Sequence, residues 1–419
     1  MADTKKVLLH EDWAVVVLGF AIIALFLLGL VVPVPSFSWS SAEDLTQKVF
    51  TAGNLMKIGA QFIVVFVFAT AGAWLTNKPL KSSLLVFPVV FLLTVVALII
   101  AGNKGVKDLN LEAVIFSLTI GLIIGNVFNL PAGFREALST ELFVKIGLVL
   151  LGTSVIFSDI LKAGGLGLVQ ALVVVLSVWY FAFWLCKKLK VDDELSMMIS
   201  SAVSICGVSA AIATAGAIKG DTKKLSYVIS LVLITAIPMM IVMPYIAKHY
   251  GFSEEVTGAW LGGSIDTTGA VVASGTLVGE TALKISTIVK FSQNVLLGLA
   301  AFAISIYWTY AGKATPDAAE KQKPTLNVIW ERFPKFVIGF VAASLLFSFF
   351  LSAEKVSAVK DGMKSIQTLW FVLAFTSIGL ETKFSDLINS NTQRPLYAFL
   401  GAQLFNILVT LVLAYVLFG

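Results

Sequence analysis

Two charged residues stand in stretches otherwise apolar enough to lie in lipid: Asp266, within GGSIDTTG, and Lys290, within STIVKFSQNVLLG. A lone Asp or Lys at the centre of a membrane helix costs about 2.5–3.5 kcal/mol on insertion scales, so such residues turn toward protein or water. Gln293 and Asn294 follow Lys290 by three and four positions, a spacing that puts all three side chains on one helix face. A carboxylate can carry a proton or hold a hard cation, and an ammonium can neutralise an anion. The two can also pair simply to hold helices together. The residues around them bear on that choice. Cys206-Gly207-Val208-Ser209 interrupts one apolar segment, and Gly262, Gly263, Ser264, Asp266, Thr267, Thr268 and Gly269 interrupt a second. Glycine lets the backbone leave helical geometry. A helix broken there exposes amide donors at the start of one half, which attract anions, and carbonyls at the end of the other, which suit Na+. Small-residue packing explains most isolated glycines, as in Gly121-x-x-x-Gly125, and apolar surroundings make the Cys206 thiol a packing group rather than a nucleophile. Two clusters that add hydroxyls and a carboxylate read as a site. Cys206, Gly207, Ser209, Gly263, Ser264, Lys290, Gln293 and Asn294 are expected to face substrate. Asp266, Thr267 and Thr268 are expected to serve Na+ or H+ coupling.

Composition says what kind of scaffold must position them. Of 419 residues, 58% are hydrophobic and 13% charged, with mean hydropathy +0.92, against roughly 45–50% and about 25% for soluble domains. No single aqueous core hides that much apolar surface, so lipid is the solvent for part of it. The net charge of +5 is what loop lysines and arginines give a membrane protein, and it points to no nucleic-acid partner. Two cysteines, Cys186 and Cys206, make no disulfide framework. His10 and His249 both lie near helix ends, no Walker A motif is present, and no paired-carboxylate metal motif or Ser/His constellation occurs. The expectation is therefore a protein that is not an enzyme, has no catalytic or metal residues, and takes no cofactor beyond Na+ as a coupling ion.

The first apolar run, Trp13 to Val32, is long enough to span and lacks a small-x-small cleavage site, so it reads as an uncleaved helix. Further spans are expected at roughly 58–75, 84–101, 113–128, 141–157, 166–186, 223–247, 285–311, 333–352, 366–380 and 396–418. Runs of this length mean helices rather than barrel strands. Trp13, Trp74, Trp184, Tyr310 and Trp330 sit at their ends as interface anchors. Segments 196–219 and 254–278 carry the Gly, Ser and Thr clusters mid-way and are expected to be broken or re-entrant helices. The predicted fold is thus an all-α polytopic membrane protein of about 11 transmembrane helices plus two broken ones. Residues 1–110 would be peripheral scaffold, 111–311 a transport-core half with both broken segments, 312–327 a polar cytoplasmic linker, and 328–419 the closing helices. The distribution of loop Lys and Arg puts the N-terminus in the cytoplasm and leans toward re-entry of the two odd segments.

Residues 151–161, LGTSVIFSDIL, match 378–388, IGLETKFSDLI: Gly152 with Gly379, Phe157 with Phe384, Ser158 with Ser385 and Asp159 with Asp386. The charge-derived topology ends the first copy outside and the second inside, an inverted repeat of the kind secondary transporters use. In each copy Ser-Asp follows an apolar helix, where it can cap the next.

ICGVSAAIATAGAI (205–218), GGSIDTTGAVVASG (262–275), IVKFSQNVLL (288–297) and IGLETKFSDL (378–387) together resemble signature stretches of the bacterial YeiH-like family, UPF0324-type membrane proteins that carry the label sulfate exporter. The likeness runs in order through roughly residues 110–419. That family is similar in outline to the bile-acid and arsenite transporter superfamily, with inverted repeats and discontinuous helices crossing near the substrate site. The resemblance implies that the clusters at 206–209 and 262–269 are those discontinuities. This chain departs from the pattern in two places. Asp266-Thr267 stands where many members carry His-Glu, and Gln293 stands where a second basic residue often follows the lysine. One cation fewer suits a dianion such as sulfate less well, and leaves room for a monoanion or an organic acid.

The expected function is secondary active transport of a small anion (sulfate, sulfite, sulfonate or organic acid) across the bacterial inner membrane by alternating access, coupled to H+ or Na+. A channel would need a continuous polar lining where the chain offers one midplane cluster, and a membrane-embedded enzyme would need a constellation the chain lacks. The partners expected are the lipid bilayer and the solute; a homodimer is compatible with the sequence.

Overall fold

The structure, a computed structural model, describes residues 8–30, 32–108, 111–310, 327–382 and 393–419. Among these, every regular element is helical; a lone β-bridge joins Trp39 to Asn103. The longer helices, in chain order, begin with α1 (Glu11–Leu27), α2 (Ala52–Leu75), α3 (Leu80–Ala101), α4 (Ala113–Val127) and α5 (Thr140–Leu151). There follow α6 (Phe157–Lys188), α7 (Asp193–Ser201), α8 (Val208–Ile218), α9 (Thr222–His249) and α10 (Glu254–Ser264). The last five are α11 (Thr268–Val278), α12 (Glu280–Tyr310), α13 (Lys335–Leu345), α14 (Ala353–Glu381) and α15 (Gln393–Phe418).

Among the described residues, eight helical stretches are long and apolar enough to cross a membrane, and the protein is a multi-pass membrane protein. Three further expected spans form shorter helices, α1, α4 and α13, the last continued by a π-helical turn over Leu346–Phe350. The exposed faces are apolar and the buried faces carry the polar residues. On α15, Leu404, Leu408, Val412 and Val416 point outward at four-residue spacing, while Gln403, Asn406 and Thr410 are buried. That inside-out pattern is what hydrocarbon solvent imposes. Trp13, Trp74, Trp184 and Trp330 are exposed near helix ends, as interface anchors are.

One compact unit comprises Met1–Ile160 and Lys335–Lys383. In it α4 and α14 meet backbone to backbone. A Cβ on Gly121 would lie 2.5 Å from Thr376 O and 2.9 Å from Gly379 Cα, and one on Gly379 would lie 2.5 Å from Leu118 O. Arg135 then closes the paired C-terminal ends, donating to the carbonyls of Gly125 at 3.0 Å, Leu380 at 3.1 Å and Glu381 at 3.2 Å. Lys145, the second intramembrane cation, is held by Glu11 at 2.8 Å and Asp12 at 3.1 Å, and Asp12 also accepts from the Lys335 amide. An ammonium largely shielded from water is stabilised by such partners. The unit therefore draws the helices of 1–110 together with 111–160 and 335–383, because α14 packs along α4 and α5 despite the sequence separation.

The other unit comprises Leu161–Pro334 and Phe384–Gly419. Its core joins Val174, Val178 and Ala182 of α6 to Met198, Ala202, Val228, Leu231 and Phe399. Local signals start its helices: Asp192 accepts from Leu195 N, Asp221 from Lys223 N, and Ser253 from Val256 N. Glu254 reaches across to accept from the Thr281 and Ala282 amides, fixing the start of α12.

The expected Ser-Asp cap differs from what is seen. α6 begins at Phe157, whose amide donates to Ser348 Oγ at 3.0 Å, so Asp159 lies inside the first turn, where a carboxylate still complements the helix dipole. The second copy, Ser385-Asp386, and most of the linker expected at 312–327 lie outside the described residues.

Gly121→Val should lower the melting temperature of the detergent-purified protein by several degrees, the effect of about 1–3 kcal/mol of overpacking. Gly59→Ala is the control, since nothing lies within 4 Å of its Cβ position; that variant should melt at or slightly above the wild-type temperature.

Candidate functional site

Both segments expected to be broken are broken, and the breaks touch. In the first, α7 runs into a π-helical turn, Ala202–Cys206, closed by Gly207 N donating to Ala202 O at 2.9 Å. Gly207 then takes φ +61° and ψ −113°, and α8 starts at Val208. Only glycine adopts that conformation without strain. In the second, α10 ends at Ser264, Ile265 is extended at φ −78° and ψ 130°, and Thr267 caps α11 by accepting from Ala270 N at 3.3 Å. A Cβ on Gly207 would lie 3.0 Å from Asp266 Cβ. Gly207 and Asp266 therefore mark one crossing point.

The break falls at 265–267 rather than at the Gly262-Gly263 pair. Those two glycines are helical and serve close packing. A Cβ at 262 would meet Ser286 O at 2.5 Å, and one at 263 would meet Gln170 Nε2 at 2.5 Å and Thr410 Cγ2 at 2.6 Å. Ile265, extended and followed by a threonine that can cap, is where the helix ends.

A break leaves carbonyls without intrahelical donors, and here side chains take them up. Lys290 Nζ donates to Ile205 O, Ile265 O and Gln293 Oε1, each at 2.9 Å. Gln293 Nε2 donates to Ser204 O at 3.0 Å and Gly263 O at 3.2 Å. From the opposite side, Asn406 Nδ2 donates to Val203 O at 3.0 Å and Ser264 O at 3.2 Å, and Gln403 Nε2 donates to Ser264 O at 2.8 Å. Lys290, Gln293 and Asn406 thus each join one carbonyl of the first break to one of the second. An ammonium has three donors, and Lys290 spends all three on these oxygens rather than on Asp266.

Asp266 is 2% exposed, and its Oδ2 has no hydrogen-bond partner. Asn294 donates to Thr268 Oγ1 at 3.3 Å and leaves its own Oδ1 unpartnered. The carbonyl ends are sealed, whereas the amide ends are more open: Ser209 is exposed, and Thr267 and Thr268 are half-buried. Cys206 packs in an apolar cluster with Ile205, Ala210 and Leu297, and the Ser264 hydroxyl is buried without a partner. So the expected residues divide. Asp266, Thr267, Thr268, Asn294 and Ser209 gather near the half-helix starts. Lys290, Gln293, Gly263 and the Ser264 carbonyl belong to the clasp on the half-helix ends.

Four polar side chains here escape the sequence reading: Gln170, Gln403, Asn406 and Thr410. The signal was present for three of them. Positions 403, 406 and 410 form a polar stripe on an apolar helix, by the same spacing that singles out Lys290, Gln293 and Asn294. Gln170, whose Nε2 donates to Ala259 O at 2.8 Å, stands alone in its helix and has no such pattern.

A family model described as Conserved hypothetical protein 698 matches residues 85–398, which include both breaks and Lys290. The chain is similar to several UPF0324 membrane proteins. It is 40% identical over 370 residues to one from Rhodopirellula baltica, covering 86% of this chain and 67% of that protein. It is 38% identical over 368 residues to one from Nitratidesulfovibrio vulgaris, covering 85% and 63%, and 36% identical over 391 residues to another from that organism, covering 90% and 66%. The chain spans about two thirds of the length of these curated relatives. No solved structure matches it.

Gly207→Ala should destabilise the protein by more than the roughly 1–3 kcal/mol of backbone strain alone, because its Cβ would also lie 2.7 Å from Val232 Cγ1. Gly251→Ala, at φ +68° with nothing within 4 Å, shows what a positive φ costs in open space. Equal losses of melting temperature in the two variants would contradict the tight crossing.

Proposed function

Because the chain belongs to the UPF0324 family of membrane proteins, we propose that it is a secondary transporter that moves a small anion across the bacterial inner membrane. The N-terminus is cytoplasmic in this reading, with eleven crossings and two broken helices arranged as an inverted repeat. The matched glycines support that arrangement. Gly152 and Gly379 each lie where the backbone of a neighbouring helix leaves no room for a Cβ, against Phe340 O and Leu118 O. The protein does no covalent chemistry; its work is to bind, neutralise and release.

The observation that carries this reading is the crossing of two helix breaks beside a buried carboxylate with an unpartnered oxygen. Each helix end carries roughly half an elementary charge. At the crossing, two carbonyl ends sum to about one negative charge, which Lys290 offsets. Two amide ends sum to about one positive charge, and Asp266, adjoining both Gly207 and the Thr267 cap, offsets that. A solute anion meeting the amides of α8 and α11 would compete with Asp266 for the same positive field. Protonation of Asp266 removes the competitor, so an anion and a proton are favoured together over either alone. The hydroxyls of Ser209, Thr267 and Thr268 supply neutral contacts at the open side. Hydrogensulfite, sulfonate and carboxylate monoanions suit one protonated aspartate better than sulfate does, since a dianion would leave a net charge at the crossing. A Na+ ion held by Asp266, Thr267 and Thr268 would do the same electrostatic work as the proton.

Proteoliposomes loaded with labelled sulfate, sulfite, an alkanesulfonate or a small carboxylate test this directly. Wild-type protein should accumulate at least one of these against its gradient when a pH or Na+ gradient is imposed. Asp266→Asn, permanently neutral, should lose at least tenfold of gradient-driven accumulation while retaining equilibrative exchange. Near-normal accumulation with unchanged pH and Na+ dependence would remove Asp266 from coupling, and absence of flux for every solute would remove the transporter reading.

A further inference from the structure

Lys290 does something a solute-binding lysine would not do: it is sealed, 1% exposed, among three oxygens that all belong to neutral groups. Two of those oxygens, Ile205 O and Ile265 O, are backbone carbonyls at the ends of two interrupted helices. The third is the Gln293 amide oxygen, itself held in place because Gln293 Nε2 is anchored on Ser204 O and Gly263 O. Neutral carbonyl and amide oxygens converging from half-helix ends are the ligands that broken membrane helices offer to free monovalent cations, and rings of carbonyls replace the hydration shell of K+ in pores. The negative ends of both half-helices also demand a positive charge at this point.

We infer that the Lys290 ammonium is a tethered occupant of a monovalent-cation site, and that removing the side chain opens this site to a free cation. The ligand class is a small monovalent cation able to accept three carbonyl oxygens: K+, Na+ or methylammonium, the last being the severed tip of the lysine itself. In the wild-type protein the site is permanently filled, so no dissolved cation is needed there for the two breaks to hold together. The same device closes the paired helix ends of the other unit, where Arg135 lies across the Gly125, Leu380 and Glu381 carbonyls. This holds whatever solute the protein moves, and stability measurements test it without any transport assay.

Purified wild-type protein, Lys290→Ala and Lys290→Met are melted in choline chloride, then in KCl, NaCl and methylammonium chloride at constant ionic strength. Wild-type melting should be the same in choline, KCl and methylammonium chloride; because NaCl could also stabilise through Asp266, each variant's NaCl response counts only as its excess over the wild type. Lys290→Ala, with a void and three unsatisfied oxygens, should melt at least 5 °C lower in choline and regain at least half the loss, saturably, in one of the other three. Lys290→Met fills the space with an apolar chain, so it should be destabilised in choline and stay so in every salt. The inference is overturned if Lys290→Ala recovers in none of the salts or cannot be purified folded in any of them. It is equally overturned if Lys290→Met or the wild type responds as Lys290→Ala does, because the effect would then be a general one of salt.

Discussion

A helix interrupted inside a low-dielectric interior must have its ends neutralised, and the rest of this molecule is arranged around that requirement. Two helices break at the same place, so four ends converge: two with free carbonyls and two with free amides. Where water is kept out, an unmet backbone group costs several kcal/mol. The carbonyl ends are met by Lys290, Gln293, Gln403 and Asn406. At the amide ends stands Asp266, with hydroxyls at Thr267 and Thr268 and a more open surface. The two pairs of ends are met differently. One pair of ends is saturated by groups that cannot leave, and the other is offset by a group that can change its charge.

The tight packing around the crossing follows from the same requirement. For side chains on α12 and α15 to reach carbonyls of both broken segments, the backbones must come close, and that is where the glycines lie. Gly258 and Gly262 pack on the α12 backbone at Ala282 and Ser286, and Gly263 packs on Gln170 and Thr410. Gly207 does something different, since its positive φ lets the chain leave the π-helical turn and restart a helix within one residue. Small residues therefore serve two separate purposes within one site, and only the backbone angles tell them apart. The clasp also bears on motion. Lys290, Gln293 and Asn406 bind both breaks at once, so the two broken segments are tied together at their crossing and would move as one body.

Much of this was legible in the sequence. Apolar runs of about twenty residues announce membrane helices because hydrocarbon leaves no other way to satisfy the backbone. Clusters such as CGVS and GGSIDTTG point to breaks because glycine beside hydroxyl or carboxylate groups in an apolar segment suits an interrupted helix better than packing alone. The stripe Lys290, Gln293, Asn294 announced a buried polar face. What could not be read was which oxygens that face would meet. Lys290 looks in sequence like a free cation awaiting an anion. Its engagement by Ile205 O and Ile265 O depends on backbone atoms, which leave no trace in residue type. For the same reason the cluster at 262–269 locates the break without fixing it at 265–267, since helix ends are set by which carbonyls find outside donors. Asn406 and Gln403 lie some 110 residues beyond Lys290 and join the site only through the fold, although their own stripe was visible.

In the transport cycle proposed above, a solute anion and the Asp266 charge exclude each other at the amide ends. Proton uptake on binding measures it most directly. Purified protein in weakly buffered detergent solution, at an alkaline pH where the buried carboxylate is ionised and without Na+, is mixed with a saturating amount of whichever anion it transports, and the pH change is followed. Uptake of close to one proton per anion bound is expected, and none in Asp266→Asn. Stoichiometric anion binding with no proton uptake by the wild type would contradict it.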